Sequence, residues 1–157
     1  MNKYIRIAVL VSLCLIVGYM GSIFTQMSIN DWYPTLKKPF FNPPNWVFAP
    51  VWTTLYVLMG ISGGIVWNEI SKQPEIVKKG LLFFIFQLVL NLIWSYLFFG
   101  LKNILLASIE VVLLWLFIYE TFAVFKKINR KASLLLIPYL AWVGFASILT
   151  ISIYILN

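Results

Sequence analysis

The sequence predicts an all-α integral membrane protein, built as a bundle of five transmembrane helices with a proline-rich loop between the first two. Two observations carry this prediction. Of the 157 residues, 62% are hydrophobic and only 11% are charged, whereas about 25% of residues are charged in a typical soluble domain. The apolar residues also fall into five long stretches, each close to the roughly 20 residues that a helix needs to cross a bilayer.

The five predicted spans leave almost no chain for a soluble domain, so a single transmembrane domain over residues 1–157 is expected. They cover residues 7–27, 47–67, 80–101, 103–125 and 132–156. The first span follows Lys3 and Arg6 and so resembles a signal peptide, but its apolar run exceeds the usual 7 to about 15 residues. We therefore expect an uncleaved helix. Cys14 is the only cysteine, which excludes an intramolecular disulfide.

The loop of residues 28–46 is expected to form a shaped lid over the bundle. Proline lacks an amide donor and moves the preceding residue away from helical angles. The loop contains four prolines, and these predict a stiff, non-helical segment: Pro34, Pro39, Pro43 and Pro44. Pro50 is expected near the first turn of the second helix, where a missing donor costs little. The remaining connections are short, which is typical of antiparallel neighbours.

The basic residues predict the orientation in the membrane. Nine of the twelve lysines and arginines lie in the N-terminal tail and in the second and fourth loops, and three lie at the other end. The positive-inside rule then places the N-terminus in the cytoplasm and the C-terminus outside. The net charge of +7 therefore reflects the distribution of basic residues on the two sides of the lipid bilayer, and no nucleic-acid partner is expected.

Pairs of small residues at four-residue spacing predict close helix contacts. Gly18 pairs with Ser22, and Gly60 pairs with Gly64. Small side chains let helix backbones approach each other in membranes. These pairs serve either packing within one bundle or a homodimer contact, and the sequence leaves both interpretations open.

The residue types favour ligand binding over conventional catalysis. The chain has no histidine and one cysteine, which removes the commonest general base and every cysteine-cluster metal site, so no metal is expected. Three helix stripes carry polar and aromatic side chains instead. They consist of Gln87, Asn91, Trp94 and Ser95 on the third span, Trp52, Tyr56, Met59, Gly60 and Gly63 on the second, and Tyr139, Trp142, Ala146 and Leu149 on the fifth.

These stripes should face the interior of the bundle. Amides and hydroxyls are costly against lipid, so they either hydrogen-bond across helices or line a cavity. Glu110 lies well inside the fourth span, with either a packing role, bonded to Ser108 or Thr150, or a ligand or proton role. Pro138 is expected to kink the fifth helix and to turn Trp142 inward.

Motifs along nearly the whole chain resemble one family. They are Trp32-Tyr33, Leu36 with Lys38-Pro39, Pro43-Pro44 with Trp46, Pro50-Val51-Trp52, Leu55-Tyr56 with Met59-Gly60, Asn91 with Trp94, and Pro138-Tyr139 with Trp142. On these residues the chain resembles the bacterial type of the TspO/MBR or translocator protein family, also called tryptophan-rich sensory proteins or peripheral benzodiazepine receptors.

The resemblance implies a five-helix bundle, often homodimeric, with a pocket under the loop between the first two helices. It implies binding of porphyrins, including protoporphyrin IX, and of isoquinoline and benzodiazepine ligands, with no required cofactor and a location in a bacterial plasma membrane. The ligand-binding residues carried over are Tyr33, Pro43, Trp52, Tyr56, Asn91, Trp94, Ser95, Trp142, Ala146 and Leu149. Gln87 is added as a group that orients the polar atoms of a flat aromatic ligand.

Three functions are consistent with these residues. The first is a membrane receptor or sensor that binds porphyrin and regulates tetrapyrrole levels. The second is a light- and oxygen-dependent enzyme that degrades porphyrin, with Trp52 and Trp142 as the catalytic candidates that the resemblance implies. The third is a transporter of porphyrin or another amphipath, against which the lack of an intramembrane charge chain and of a repeat counts mildly. Lys37 and Lys38 either meet porphyrin propionates or are ordinary interfacial charges.

Overall fold

Five helical spans, each long and apolar enough to cross a bilayer, make up the structure, a computed structural model that describes residues 1–157. The α-helices are α1 (Lys3–Gln26), α2 (Asn45–Asn68), α3 (Pro74–Ser95), α4 (Ile104–Ile128), α5 (Arg130–Leu134) and α6 (Ile137–Leu156). A π-helical turn, Tyr96–Gly100, extends α3, and α5 and α6 together form the fifth span. There are no strands.

The outer surface of the bundle is apolar along the spans. Large hydrophobic side chains such as Leu82, Phe86, Leu116 and Ile148 are about half exposed or more. A soluble fold would cover so continuous an apolar surface, because large exposed patches mark interaction with a partner or a membrane. The fold class is therefore confirmed as an all-α integral membrane bundle.

Glycines hold α1 closely against α2. A Cβ atom added to Gly60 would collide with the Val11 backbone, and one added to Gly64 would lie 2.5 Å from the Ile7 Cα. A Cβ on Gly18 would lie 2.5 Å from the Tyr56 ring. These small residues therefore serve packing within the chain, and the homodimer stays a prediction that rests on the resemblance.

The start of α2 differs from the sequence-based expectation. Pro44 caps the helix and Asn45 begins it, so Pro50 lies inside the helix rather than near its first turn. The Trp46 carbonyl consequently lacks the amide donor that a residue other than proline at position 50 would supply. Trp46, in the first turn of α2, is 75% exposed.

The fifth span is interrupted just before Pro138, not at Pro138 itself. Leu135 and Leu136 separate α5 from α6, and Pro138 lies in the first turn of α6, where its missing donor is tolerated. The dihedral angles of these two leucines stay near helical values. The two helices consequently follow one another through the bundle as one span.

The core is filled in one half of the bundle and hollow in the other. Towards the C-terminal end of α2, Val66, Val77, Phe84 and Phe125 are fully buried, and the two phenylalanine rings stack at 6.0 Å. Towards the N-terminal end of α2, beneath the loop that joins α1 to α2, the side chains enclose a cavity. The fold therefore leaves space for a ligand under the loop.

Candidate ligand-binding cavity

The cavity has a volume of about 250 Å³ and is lined by 22 residues. They come from α1, α2, α3 with its π-helical turn, α6 and the loop. The sequence-predicted residues that line it are Tyr33, Trp52, Tyr56, Asn91, Trp94, Ser95, Trp142, Ala146 and Leu149. Pro43 and Gln87 do not line it: Pro43 stays in the loop, and Gln87 lies about one turn below Asn91 with 1% of its surface exposed.

The wall that α1 contributes was missed by the reasoning from sequence. Gly18, Gly21 and Thr25 line the cavity, and their spacing of three and four residues places them on one face of α1. The spacing of these small side chains was the available signal, but only Gly18 is among the predicted small-residue pairs, where it is paired with Ser22 as a helix contact. Phe48, Phe98 and Phe99, which also line the cavity, carry no comparable signal because apolar aromatics occur throughout the spans.

A chain of hydrogen bonds begins in the cavity wall and joins three helices. The Tyr56 hydroxyl on α2 donates to Asn91 Oδ1 on α3 at 2.6 Å. Asn91 Nδ2 donates to the Tyr139 hydroxyl on α6 at 2.8 Å, and that hydroxyl donates to Gln87 Oε1 at 2.7 Å. Both uses expected of the polar stripe therefore occur, because Gln87 and Asn91 bond across helices and Asn91 also lines the cavity.

Flat aromatic faces form much of the cavity wall. The Trp52 ring centre lies 5.7 Å from that of Tyr56 at 30°, and the Trp52 and Tyr139 rings meet edge to face with their centres 6.3 Å apart. Across the cavity, Trp94 stacks on Phe98 at 5.1 Å and 16°. Such walls suit a planar aromatic guest, since ring faces pair best in stacked or edge-to-face arrangements.

Two lining residues carry buried hydrogen-bond donors that have no partner. The indole nitrogens of Trp94 and Trp142 are buried, and neither has an acceptor within the protein. None of the lining residues is charged. The uncharged wall therefore matches an uncharged ring system, and a ligand acceptor that reached either indole would remove the free-energy cost of a buried donor without a partner.

Hydrogen bonds fasten the loop that roofs the cavity. The Tyr33 hydroxyl donates to Asn42 Oδ1 at 3.0 Å, and the Ser28 hydroxyl donates to the Phe99 carbonyl at 2.7 Å. Asn157, the C-cap residue after α6, pairs with the Lys37 backbone, accepting from its amide at 3.0 Å and donating to its carbonyl at 2.8 Å. Burial raises the pKa of the Tyr33 phenol, and its hydrogen bond to Asn42 lowers it by less. The phenol therefore stays a neutral donor at physiological pH.

The two lysines of the loop are placed differently. Lys38 Nζ donates to the Leu36 carbonyl at 3.1 Å and lies 4.7 Å from the centre of the Tyr33 ring. Lys37 is exposed. Neither lysine lines the cavity, and both lie at its loop end.

Glu110 is separate from the cavity wall. It is 7% exposed, does not line the cavity, and neither of its carboxyl oxygens accepts a hydrogen bond from the chain. The expected partners are engaged elsewhere, because Ser108 donates to the Ile104 carbonyl and Thr150 donates to the Ala146 carbonyl, both at 2.7 Å. The prediction that Glu110 bonds to Ser108 or Thr150 is therefore wrong.

Comparison with known proteins gives a family match and several similar chains. The family described as TspO/MBR matches residues 10–156. The chain is 46% identical over 158 residues to the tryptophan-rich protein TspO of Chlorobaculum tepidum, covering 100% of this chain and 99% of that protein. It is 38% identical over 113 residues to the tryptophan-rich sensory protein of Cereibacter sphaeroides, covering 72% and 68%. It is 34% identical over 136 residues to the translocator protein of Homo sapiens, covering 87% and 80%.

Proposed function

Because the chain belongs to the TspO/MBR family, we propose that it is a membrane receptor or sensor that binds porphyrins in the aromatic cavity and thereby regulates tetrapyrrole levels. Protoporphyrin IX is the proposed main ligand, and isoquinoline- and benzodiazepine-type molecules are proposed to occupy the same site. The observation that supports this most directly is the enclosure of one cavity by Trp52, Tyr56, Trp94 and Trp142.

The chemistry of the wall supports a flat ligand with an uncharged body. Aromatic faces contribute stacking area, and the unpaired Trp94 and Trp142 donors match ring or carbonyl acceptors. Carboxylates have no cationic partner in the wall, so the propionates of a porphyrin would stay at the loop end. Lys37 and Lys38 are proposed as the cations of the loop that meet them there.

A second function is favoured by the position of two tryptophans. Trp52 and Trp142 both line the cavity, so both would touch a bound porphyrin. In this alternative each passes an electron to the photoexcited macrocycle, which passes it on to molecular oxygen, and each tryptophan radical then takes an electron back from the porphyrin, so that the porphyrin is the group oxidised and oxygen the group reduced. The protein would then consume the ligand under light rather than only hold it.

The first experiment is a titration of the purified protein with protoporphyrin IX, followed by absorption in darkness and under light. We expect saturable binding in darkness, and weaker binding by Trp52→Phe and Trp142→Phe, because each variant loses indole surface and an indole N–H donor. Trp115→Phe is the matched control, since Trp115 donates to the Leu140 carbonyl and lies outside the cavity.

The two functions separate in the light. A receptor returns the porphyrin unchanged apart from bleaching that also occurs without protein. A new absorbing product that forms only with protein, and that is lost in Trp52→Phe or Trp142→Phe, would contradict the receptor function and support the enzymatic one. Binding that never saturates would refute both.

A further inference from the structure

A second recess lies on the outside of the bundle, between α2 and α6. It has a volume of about 550 Å³ and an almost entirely apolar wall, to which Pro50 and Thr54 contribute on α2, and Pro138 and Ala141 on α6. The two helices contact each other sparsely, whereas α1 and α2 are closely packed. Thr54, Pro138 and Ala141 are exposed on the surface that faces lipid. The recess is thus open to the bilayer.

Trp142 is the only residue that lines both the outer recess and the inner cavity. Its indole is therefore the partition between the two spaces. The inner cavity, at about 250 Å³, falls below the roughly 300–1,000 Å³ of most ligand pockets. A ligand as large as a macrocycle needs one of the walls to move.

The Trp142 indole is held by packing contacts, without a hydrogen bond. Its ring lies 6.1 Å from Phe48 and 5.4 Å from Phe145, and its nitrogen has no acceptor. Trp115, which packs between α4 and α6, differs in that its nitrogen donates to the Leu140 carbonyl at 3.0 Å. Rotation of Trp142 breaks no hydrogen bond, whereas rotation of Trp115 breaks one.

The roof of the cavity is fastened more firmly than this side wall. Opening the loop requires breaking hydrogen bonds such as Ser28 to Phe99 and the pair between Asn157 and Lys37. An apolar ring system is also concentrated in the bilayer rather than in water, because burial of apolar surface is favourable. Both the resistance of the roof and the location of the ligand favour a path through the side wall.

On these grounds we propose that the recess between α2 and α6 is a lateral portal, and that the Trp142 side chain is the gate through which a flat, apolar-bodied ligand passes from the bilayer into the cavity. The proposal rests on the proposed function for the identity of the ligand. It adds that the route runs through lipid and that Trp142 controls the rate of passage.

The test is to obstruct the recess without touching the cavity. Ala141→Trp and Thr54→Trp fill it from opposite walls, and neither residue lines the cavity. Binding of protoporphyrin IX to protein in lipid nanodiscs is followed by stopped-flow absorbance. We expect association and dissociation rate constants each to fall about tenfold with Kd unchanged, because an obstruction raises the same barrier in both directions.

Ile148→Trp is the matched control, because Ile148 is exposed on the same helix and lines neither space. Rates in both recess variants that equal those of this control would overturn the portal while leaving binding intact. So would faster exchange in Asn157→Ala with no effect of the recess variants, since the ligand would then pass under the loop. If the unaltered protein binds no protoporphyrin IX, the proposed function fails first, and the portal fails with it.

Discussion

Asn91 occupies the point where the ligand-facing wall meets the hydrogen-bonded core. Its side chain accepts from Tyr56, donates to Tyr139 and is 4% exposed. A buried donor that loses its acceptor cannot turn to water, so it is left with the full cost of desolvation. The stability of the bundle should consequently depend on this amide more than on its neighbours in the wall.

We expect Asn91→Leu to destabilise the protein by about 1–3 kcal/mol, because it keeps the size of the side chain while leaving the Tyr56 hydroxyl without its acceptor. The measurement is unfolding by sodium dodecyl sulfate from mild detergent, followed by circular dichroism. Adding Tyr56→Phe to this variant should recover part of the loss, since both partners are then apolar. Ser95→Ala, on the same wall, serves as the control, and a loss in Asn91→Leu no larger than in Ser95→Ala would contradict the role.

The sequence predicts the face on which a residue lies better than it predicts its depth. Gln87 and Asn91 share one helical face, so their inward orientation follows from the spacing alone. A rise of about one turn separates them, and only the upper residue reaches the cavity. The depth at which a cavity ends depends on the side chains of other helices, here Met59 and Tyr139 beside Gln87, and no local pattern contains that information.

At the scale of elements, the contact between α1 and α2 depends on the absence of a side chain. The nearest atoms to a Cβ on Gly60 belong to the Val11 backbone, which cannot move without separating the helices. Gly80 is also buried in a helix, but a Cβ there would meet only side-chain tips of Val124, Phe125 and Ile128 at 3.2–3.3 Å. Two buried glycines therefore differ in whether their neighbours can yield.

Gly60→Ala should destabilise the protein by about 2 kcal/mol, since overpacking a closely fitted contact typically costs about 1–3 kcal/mol. Gly80→Ala should be close to neutral, because small side-chain shifts are offset by the better helix propensity of alanine, worth about 1 kcal/mol. Thermal unfolding of the two variants in the same detergent measures the difference. Equal stabilities would show that α1 and α2 can separate at little cost.

The ends of elements were harder to predict than the elements themselves. Proline at position 50 suggested a helix start, yet α2 begins at Asn45 and tolerates the proline inside. Proline at position 138 suggested a kink, and the interruption falls at Leu135 and Leu136 instead. Proline removes one hydrogen bond wherever it stands, but tertiary packing decides whether the helix ends, bends or continues.

At the scale of the whole molecule, the composition and the length of the apolar stretches predict the five spans, because each span must satisfy its own backbone hydrogen bonds in lipid. The order of helices around the bundle follows from contacts between distant residues. The gap between α2 and α6 exists because glycines bring α1 against α2 while no such face joins α2 to α6. A single sequence therefore predicts a bundle with an aromatic interior, but not the side on which it opens.

The orientation of the molecule in the membrane is the last property that charge and structure allow us to predict. Arg6 donates to the Trp67 carbonyl at 3.3 Å, and Asn68 donates to the Lys3 carbonyl at 3.3 Å, so the N-terminal tail and the end of α2 share one end of the bundle. Nine of the twelve basic residues belong to this end, and basic loops remain in the cytoplasm. We therefore expect the loop after α2 to lie inside and the roof of the cavity to lie outside.

Single cysteines in a Cys14→Ala background test this orientation, because Cys14 is the only native cysteine. Ser71→Cys lies in the exposed loop after α2, and Phe40→Cys lies in the roof, where Phe40 is 100% exposed. A membrane-impermeant maleimide applied to intact cells should label the cysteine at position 40 and not the one at position 71, and both should react once the membrane is permeabilised. Because the two sites are at opposite ends of the bundle, the reverse labelling pattern would show the opposite orientation, with the cavity roof on the cytoplasmic side.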